Sequence, residues 1–482
     1  MVIDSPKHTR KTPVPQGWPE IAAEPNKIGP STHYDFEGKN LTPYGGLFPV
    51  ATMLEKLGFQ KLIEETLTVK RVPRVMSMYQ FVLSMVLAVY VGFFRLNHIR
   101  FVAKDPMLTR LLKVFELPVQ STFWRFLASL HLGVGRQLLQ VQRVMRERVW
   151  AAANVRLTSI TLDSDTTVHT LYGQPMGARK SYNPKNKGKK SYQPILTFVA
   201  ETREYIWGEL RNGDRPDGKQ MACHLRGVLA ALPQCIHKIF ARVDAGFYCW
   251  ETVEAYEKGK VQFIMVARKT SRLMAKLQTA AWKRSPKTDA DEQCEFCYQP
   301  EGWGKAYRFL ALRYKKDKIP EQREQYQLFD TPEYIYRVFV TNMAGAIDLL
   351  VWFYNQRAGA ENLIKEANND AGLAAHPSGR WATNCVHFQL VMLAYNLNCW
   401  LMLFHREEGA KSDAFKHTTL ATARLRFLFV AAKIWQHAGR TGISYSDQYQ
   451  ERGLFQRLME RLRDIVAGPT TFLPVLATPL EC

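Results

Sequence analysis

The stretch YNQRAGAENLIK, residues 354–365, carries a phenol, a guanidinium, a carboxylate and an ammonium group at spacings a helix can align. At about 100° per residue, Tyr354, Arg357, Glu361 and Lys365 fall at i, i+3, i+7 and i+11, inside one narrow stripe. Trp352, Phe353, Leu363 and Ile364 lie off that stripe and can face a core. A surface helix laced by i,i+4 pairs would use the same residue types. Two acidic strand ends upstream argue for chemistry instead. VRLTSITLDSDTTV alternates apolar and polar residues, a strand pattern, and carries Asp163 and Asp165 on one face. HKIFARVD is a second strand pattern, ending at Asp244 before Ala245-Gly246, where a simple capping role is equally open. Three carboxylates brought to one point repel unless divalent cations sit between them. Oxygen-only ligands suit Mg²⁺ or Mn²⁺. Two such ions, about 3.5–4 Å apart, activate an attacking oxygen and stabilise a leaving one in phosphoryl transfer.

These carboxylates need a sheet to carry them. From Val155 the pattern runs strand (ending at Asp165), strand YQPILTFVAE, strand EYIWGELR, helix KQMACHLRGVLAAL, strand HKIFARVD, helix WETVEAYEKG and strand VQFIMVAR. This β-β-β-α-β-α-β order predicts a mixed three-layer α/β sheet. The first and fourth strands can then be neighbours, with a helix packed across them to add Glu361. Residues 154–267 and 343–404 are assigned to this catalytic core. Residues 268–342, with strand-like CEFCYQ, KAYRFLALRY, EQYQLF and YIYRVFV, read as a β-rich insertion. Residues 49–153 read as a helical DNA-binding domain or, equally, as a plain helical bundle, 405–482 as a helical C-terminal region, and 1–48, rich in Pro, Gly, Lys and His, as a flexible basic arm.

Lys plus Arg number 65 against 44 Asp plus Glu, a net charge of +21, which points to a polyanionic partner. The run Arg179, Lys180, Lys185, Lys187, Lys189 and Lys190 leaves the predicted sheet as a hairpin and reads as a finger tracking a nucleic-acid backbone. Arg268, Lys269 and Arg272, after the fifth strand, are similar. The N-terminus MVIDSPKHTRK has no apolar core of a signal peptide, and a cytoplasmic location is expected. The apolar runs 76–94 and 385–404 carry polar residues such as Gln80, His387, Gln389 and Asn396, and read as buried helices rather than membrane spans. Only Cys294 and Cys297 among the eight cysteines form a CxxC, so a zinc site is not expected.

At LDSDTTVHTLYG, RVDAGFY, TNMAG, YNQRAGAENLIKEANNDAGL and AYNLNCWL, the sequence resembles the bacterial insertion-sequence transposases of the DDE type. The resemblance spans roughly Gly45 to Gly442, and is to the subgroup with a ribonuclease-H-like core interrupted by a β insertion. Tyr354, Arg357 and Glu361 match the signature Tyr-x2-Arg-x3-Glu. The wider family places a Lys seven residues after the Glu, where this chain has Asn368; Lys365 on the same helical face can serve instead. The family's Asp-Thr-Thr pattern points to Asp165 as the first carboxylate, with Asp163 as the alternative.

The resemblance implies a polynucleotidyl transferase using two Mg²⁺ (or Mn²⁺) ions held by Asp165, Asp244 and Glu361. It implies nicking of transposon ends, often through a hairpin intermediate, and joining to target DNA. The partners would be inverted-repeat ends and target DNA, bound by a homodimer associated with the nucleoid. Arg357 could clamp a phosphate bidentately and Tyr354 could hydrogen-bond one. Trp303 in EGWGKAYR is the candidate to hold an unstacked base, against the plainer reading of a core tryptophan. Two alternatives keep the fold and change the activity: a DNA-binding derivative without chemistry, and a structure-specific nuclease.

Overall fold

Patterned apolar residues before Val155 fold as helices, as their spacing predicts: α1 (Leu47–Lys56), α2 (Phe59–Thr66), α3 (Met78–Val91), α4 (Pro106–Leu112), α5 (Gln120–Ser129) and α6 (Gly133–Ala152). The computed structural model describes residues 28–69, 75–181, 183–184, 186–315, 334–405 and 418–466. Each buried helix needs its ends satisfied. At α3 a reciprocal capping box does this, with Ser77 Oγ accepting the Gln80 N–H at 3.1 Å and the Gln80 side chain accepting the Ser77 N–H at 2.7 Å. Gly92, at φ 108°, closes the helix in a conformation that disfavours other residues.

The central sheet holds β2 (Ser159–Thr166), β5 (Ile195–Val199), β6 (Tyr205–Glu209), β7 (Lys238–Val243), β8 (Gln262–Val266), β9 (Lys283–Arg284), β10 (Glu292–Tyr298), β11 (Tyr307–Lys315) and β12 (Tyr334–Thr341). Their order is β6-β5-β2-β7-β8-β12-β11-β10-β9. β2, β7 and β8 run parallel, and the other pairings are antiparallel. The crossovers carry α7 (Gly218–Ala230) and α8 (Trp250–Lys258), and α9 (Ser271–Gln278) follows β8. Short strands β3 (His169–Thr170) and β4 (Ser191–Tyr192) pair separately at the base of the basic loop.

Residues 268–342 are β-rich among the described residues, but they do not form a separate insertion. β12 pairs with β8, and β11, β10 and β9 continue outward, so the segment widens the central sheet. The exposed edge of β8 is the reason: Phe339, Val340 and Thr341 take up its backbone groups. EQYQLF lies outside the described residues.

After β12 come α10 (Ile347–Asn355), α11 (Ala358–Asn369) and α12 (Trp381–Phe404). Among the described residues, α12 alone is long and apolar enough to cross a membrane, and its most apolar stretch is wholly buried. Its amides explain the polar residues in an apolar run. Asn396 Oδ1 accepts the Tyr205 N–H at 2.9 Å, Asn396 Nδ2 donates to Tyr205 O at 2.8 Å, and Gln389 Nε2 donates to Gly208 O at 2.8 Å. The outer edge of β6 is therefore satisfied by side chains, where a bare edge would cost desolvated backbone groups. Glu204 is buried beside these. It pairs with Arg146 of α6 at 3.4 Å and accepts the indole N–H groups of Trp150 at 2.8 Å and Trp400 at 2.5 Å. The helices before Val155 and the sheet thus share one interior, and the described residues from 40 to 466 form a single unit. Residues 28–39 fall outside that unit and have neither helix nor strand.

Two further expectations are corrected. The arm assigned to residues 1–48 runs too far, since β1 (Leu41–Thr42) and the start of α1 lie in the main body. The C-terminal region is not all helical. After α13 (Leu420–Ala423) the chain makes a hairpin, β13 (Ala432–His437) and β14 (Arg440–Tyr445), before α14 (Arg452–Arg463). The turn residues Ala438 and Gly439 have φ 47° and 75°, which favours a tight two-residue hairpin. β13 also pairs with β1, from the other end of the chain.

Candidate active site

In β2 the alternation puts Asp163 and Asp165 on the same face, and the parallel neighbour β7 decides what each can do. Register pairs Asp163 with Arg242 and Ser164 with Val243, so Asp165 and Asp244 stand at the next step of adjacent strands, about 4.8 Å apart by sheet spacing. Arg242 grips Asp163 bidentately, Nε to Oδ1 at 2.7 Å and Nη2 to Oδ2 at 2.6 Å. Its Nη1 donates to Phe353 O at 3.1 Å, tying the pair to α10. Asp163 is 2% exposed; burial raises its pKa against the pull of Arg242. Both of its oxygens are taken, and the carboxylate left facing the site is Asp165.

Asp165 Oδ1 accepts the Thr166 N–H at 2.7 Å, and Oδ2 lies 2.7 Å from Arg357 Nη2. Burial pushes its pKa up to about 6; Arg357 pulls it down, while Asp244 and Glu361 push it up. Asp244 takes the cap role the sequence left open, its Oδ1 accepting the Gly246 N–H at 2.9 Å at the head of the turn Ala245–Phe247. A Cβ on residue 246 would lie 2.7 Å from that oxygen, so Gly246 allows the close approach. Arg268 holds the same turn, donating to Ala245 O at 2.9 Å and Gly246 O at 3.1 Å.

The expected single helix over 354–365 is two. Between α10 and α11 the bonds tighten, Arg357 N–H to Tyr354 O at 2.9 Å and Ala360 N–H to Arg357 O at 2.8 Å, three residues apart instead of four. Tyr354 closes α10, buried against Phe339 (ring centroids 4.8 Å) with the Arg337 guanidinium 5.3 Å from its ring. Burial raises its pKa, so the phenol stays protonated. Arg357 sits at the junction, 6% exposed. Its Nη1 is 3.9 Å from Glu361 Oε1, so the guanidinium stands between Asp165 and Glu361. Burial works against its charge, but Asp165, Tyr354, Asp244 and Asp163 outweigh that, and the net pKa is raised. Nε and Nη2 make no aligned hydrogen bond among the described residues, so the contact with Asp165 is a charge contact. Glu361, in the first turn of α11, is exposed, as is Lys365. Of the residues expected off the stripe, Leu363 and Ile364 are buried, but Trp352 is 62% exposed.

Asn368, in place of the family's lysine, joins a buried chain that sequence reading missed. Its Oδ1 can only accept, so the 2.9 Å contact puts the His169 proton on Nε2. His169 Nδ1 then accepts from His376 Nε2 at 3.1 Å, and Asn368 Nδ2 donates to Thr167 Oγ1 at 3.3 Å. The chain ties the segment after Asp165 to the helix bearing Glu361. The HT of LDSDTTVHT was the available signal, but His376 comes from a distant loop.

Among the described residues, no three His, Cys, Asp or Glu side chains stand at common metal-binding spacing; at the site, the cation between the carboxylates is Arg357. The clefts of about 560 Å³ near Tyr307 and Gly345 and about 340 Å³ near Phe240 and Trp352 contain none of the three carboxylates. Cys294 and Cys297, three apart on β10, point to opposite faces.

The basic loop is partly folded back. Asn183 and Asn186 donate to Thr170 Oγ1 at 3.0 and 3.1 Å, and Lys190 bonds the Gln174 side chain. Arg179 lies 3.7 Å from Asp214; Lys180, Lys187 and Lys189 are exposed, and Lys185 lies outside the described residues. Arg272 pairs with Glu301 at 3.0 Å, and Lys269 is exposed. Trp303 is not available to a base. It is 7% exposed, packed against Tyr248 (5.1 Å), Tyr307 (5.7 Å) and Trp250 (6.1 Å), because the EGWG turn folds it onto the aromatic ring cluster beside α8.

No curated protein matches the sequence. Among solved structures, the chain is similar to the piggyBac transposase in a cryo-EM structure of its synaptic complex with hairpin DNA, at 9% identity, with 89% of this chain and 86% of that chain covered and a TM-score of 0.41. The family described as Transposase DDE domain group 1 matches residues 25–467, a span that takes in every element from β1 to α14. The chain therefore belongs to the DDE transposases of that group.

Proposed function

We propose that this transposase excises an insertion sequence and joins it to target DNA, with Asp165, Asp244 and Glu361 as the catalytic carboxylates. The observation that carries the reading is the register of β2 on β7, which sets Asp165 beside Asp244 while Arg357 links Asp165 to Glu361. We read β6-β5-β2-β7-β8, with its central parallel strands and antiparallel outer pair, as the ribonuclease-H-like core. The donor set fits a hard divalent ion: all ligands are carboxylate oxygens, and the pKa of Asp165, raised first by burial, is pushed up further by Asp244 and Glu361, a crowding that a cation would relieve. Asp165, Asp244 and Glu361 would hold Mg²⁺ or Mn²⁺. When bound, such ions polarise the phosphodiester and lower the pKa of an attacking water.

The chain's own residues do the rest. Asp163 and Arg242, locked together, fix the strand ends. The Gly246 and Arg268 contacts hold the Asp244 turn. Arg357 neutralises Asp165, and its guanidinium could bind a phosphate oxygen pair if a metal ion held that carboxylate instead. The exposed Lys180, Lys187 and Lys189 extend that path along DNA, and paired ends call for a homodimer.

The test is incubation of the protein with DNA bearing its flanking inverted repeats, a target plasmid and Mg²⁺ or Mn²⁺. Joined products are expected. Cut ends alone would make the protein a nuclease, and a mobility shift without cutting a DNA-binding derivative. For the basic loop, replacing Lys180, Lys187 and Lys189 with Ala should weaken duplex binding irrespective of sequence. The slope of log K against log salt should fall by roughly 0.9 per lost phosphate contact. An unchanged slope would return these lysines to plain solvated surface.

A further inference from the structure

The C-terminal hairpin carries an aromatic surface that the catalytic reading leaves unused. In β13 and β14 the register pairs Trp435 with Gly442, Lys433 with Ser444, and His437 with Arg440. Directly paired residues share a face, so these six side-chain positions form one side of the hairpin. The other side buries Ala432 and Ile434. Trp435 is 42% exposed, and its flanking residues Lys433, His437 and Arg440 are exposed too. A Cβ at residue 442 would lie 2.0 Å from the indole, so the ring lies flat across the strand only because glycine is there. Trp435 makes no ring contact with another aromatic among the described residues. The sequence from Ala414 to Ser446 has no Asp or Glu. Shielding a glycine would explain a covered ring, but this one keeps much of its surface in solvent among cations, with no carboxylate on its face.

We infer that this face of the hairpin binds single-stranded DNA, with Trp435 stacking on a base and Lys433 and Arg440 contacting the flanking phosphates. A flat indole accepts any base, and adjacent cations track the backbone; together they favour unpaired nucleotides over a duplex, whose bases are already stacked. The inference rests on the reading of the protein as one that handles DNA ends, where strands separate.

The experiment measures binding of a labelled oligothymidine and of a duplex of equal length by the full-length protein, using fluorescence anisotropy without divalent ions. Trp435→Leu keeps apolar cover over Gly442 but removes the π-face; Trp435→Phe keeps a ring. Trp435→Leu should weaken single-strand binding about tenfold, the low end for loss of one stacked base. Trp435→Phe should stay within a few fold of wild type, and duplex binding should hardly change. The double variant Lys433→Ala, Arg440→Ala should lower the single-strand salt slope by roughly 0.7 per lost contact. Wild-type single-strand affinity in Trp435→Leu would overturn the inference, as would equal losses in the Leu and Phe variants or equal losses for both DNAs. The catalytic reading is scored separately, by nicking in the wild-type protein, so either can fail alone.

Discussion

Glu361→Gln should abolish nicking and joining together while end binding survives. The substitution keeps the side chain's size and hydrogen-bonding reach but removes one charge from the proposed cation site. A ligand lost from a two-ion centre costs several kcal/mol of transition-state stabilisation, on the order of a thousandfold in rate. Glu361 is exposed and, among the described residues, makes only a 3.9 Å contact with Arg357, so the fold has little to lose. The same holds for binding, which can strengthen as a charge repelling phosphate disappears. Arg357→Ala gives a different pattern. Arg357 is buried and is the positive charge beside Asp165, so its loss leaves crowded carboxylates and lowers the melting temperature of the metal-free protein. Divalent ions should recover much of that stability, and phosphate positioning in the later steps should suffer more than the first nick. A gel assay of nicking, second-strand cleavage and joining, beside melts with and without Mn²⁺, reads both. Wild-type nicking in Glu361→Gln would remove this helix from the chemistry.

The second large effect is acid lability. His169, His224 and His387 are buried, and burial lowers their pKa values to about 4, 3 and 4. In the unfolded chain they titrate near 6.5. The unfolded state therefore binds more protons as pH falls below that value, and the stability from each buried neutral ring, complete above pH 6.5, is lost as pH falls toward the folded pKa. The slope is about 1.4 kcal/mol per pH unit for each ring. Asp165 opposes this: its folded pKa of about 6 means its stability contribution is present below the unfolded value and lost as pH rises through about 6. His376 and His405 are lowered by burial as well, while Asp163 joins Asp165 among the raised carboxyls; the rings outweigh the carboxyls between pH 6.5 and 5, so the melting temperature should be flat above neutrality and fall steeply below it. His224 is the cleanest probe, since its Nε2 bonds only Thr197 Oγ1, at 2.7 Å, among the described residues. His224→Gln should shallow the acid limb by about one proton. An acid limb with wild-type steepness in that variant would discount His224.

The sequence by itself determined what is written in local periodicity. Alternation placed Asp163 and Asp165 on one face of a strand. The order of strands and helices made the strand of Asp165 a candidate neighbour of the strand of Asp244, which the sheet order bears out. Polar residues inside the 385–404 run marked a buried helix. Tertiary structure decided everything that depends on a distant partner. Which aspartate stays open is set by Arg242 on the adjoining strand, 79 residues away. Whether residues 268–342 stand apart or widen the sheet depends on the unpaired edge of β8, because a strand pattern records a preference for pairing but not the partner. The C-terminal hairpin is fixed by β1 from the opposite end of the chain, and its Ala438-Gly439 turn was the only local trace. Trp303 and Trp435 are the same residue type, the first flanked by Gly302 and Gly304 and the second by Ile434 and Gln436. Packing alone buried the first in an aromatic cluster and left the second lying flat over a glycine in solvent, since burial is a property of the assembled neighbours and not of the residue.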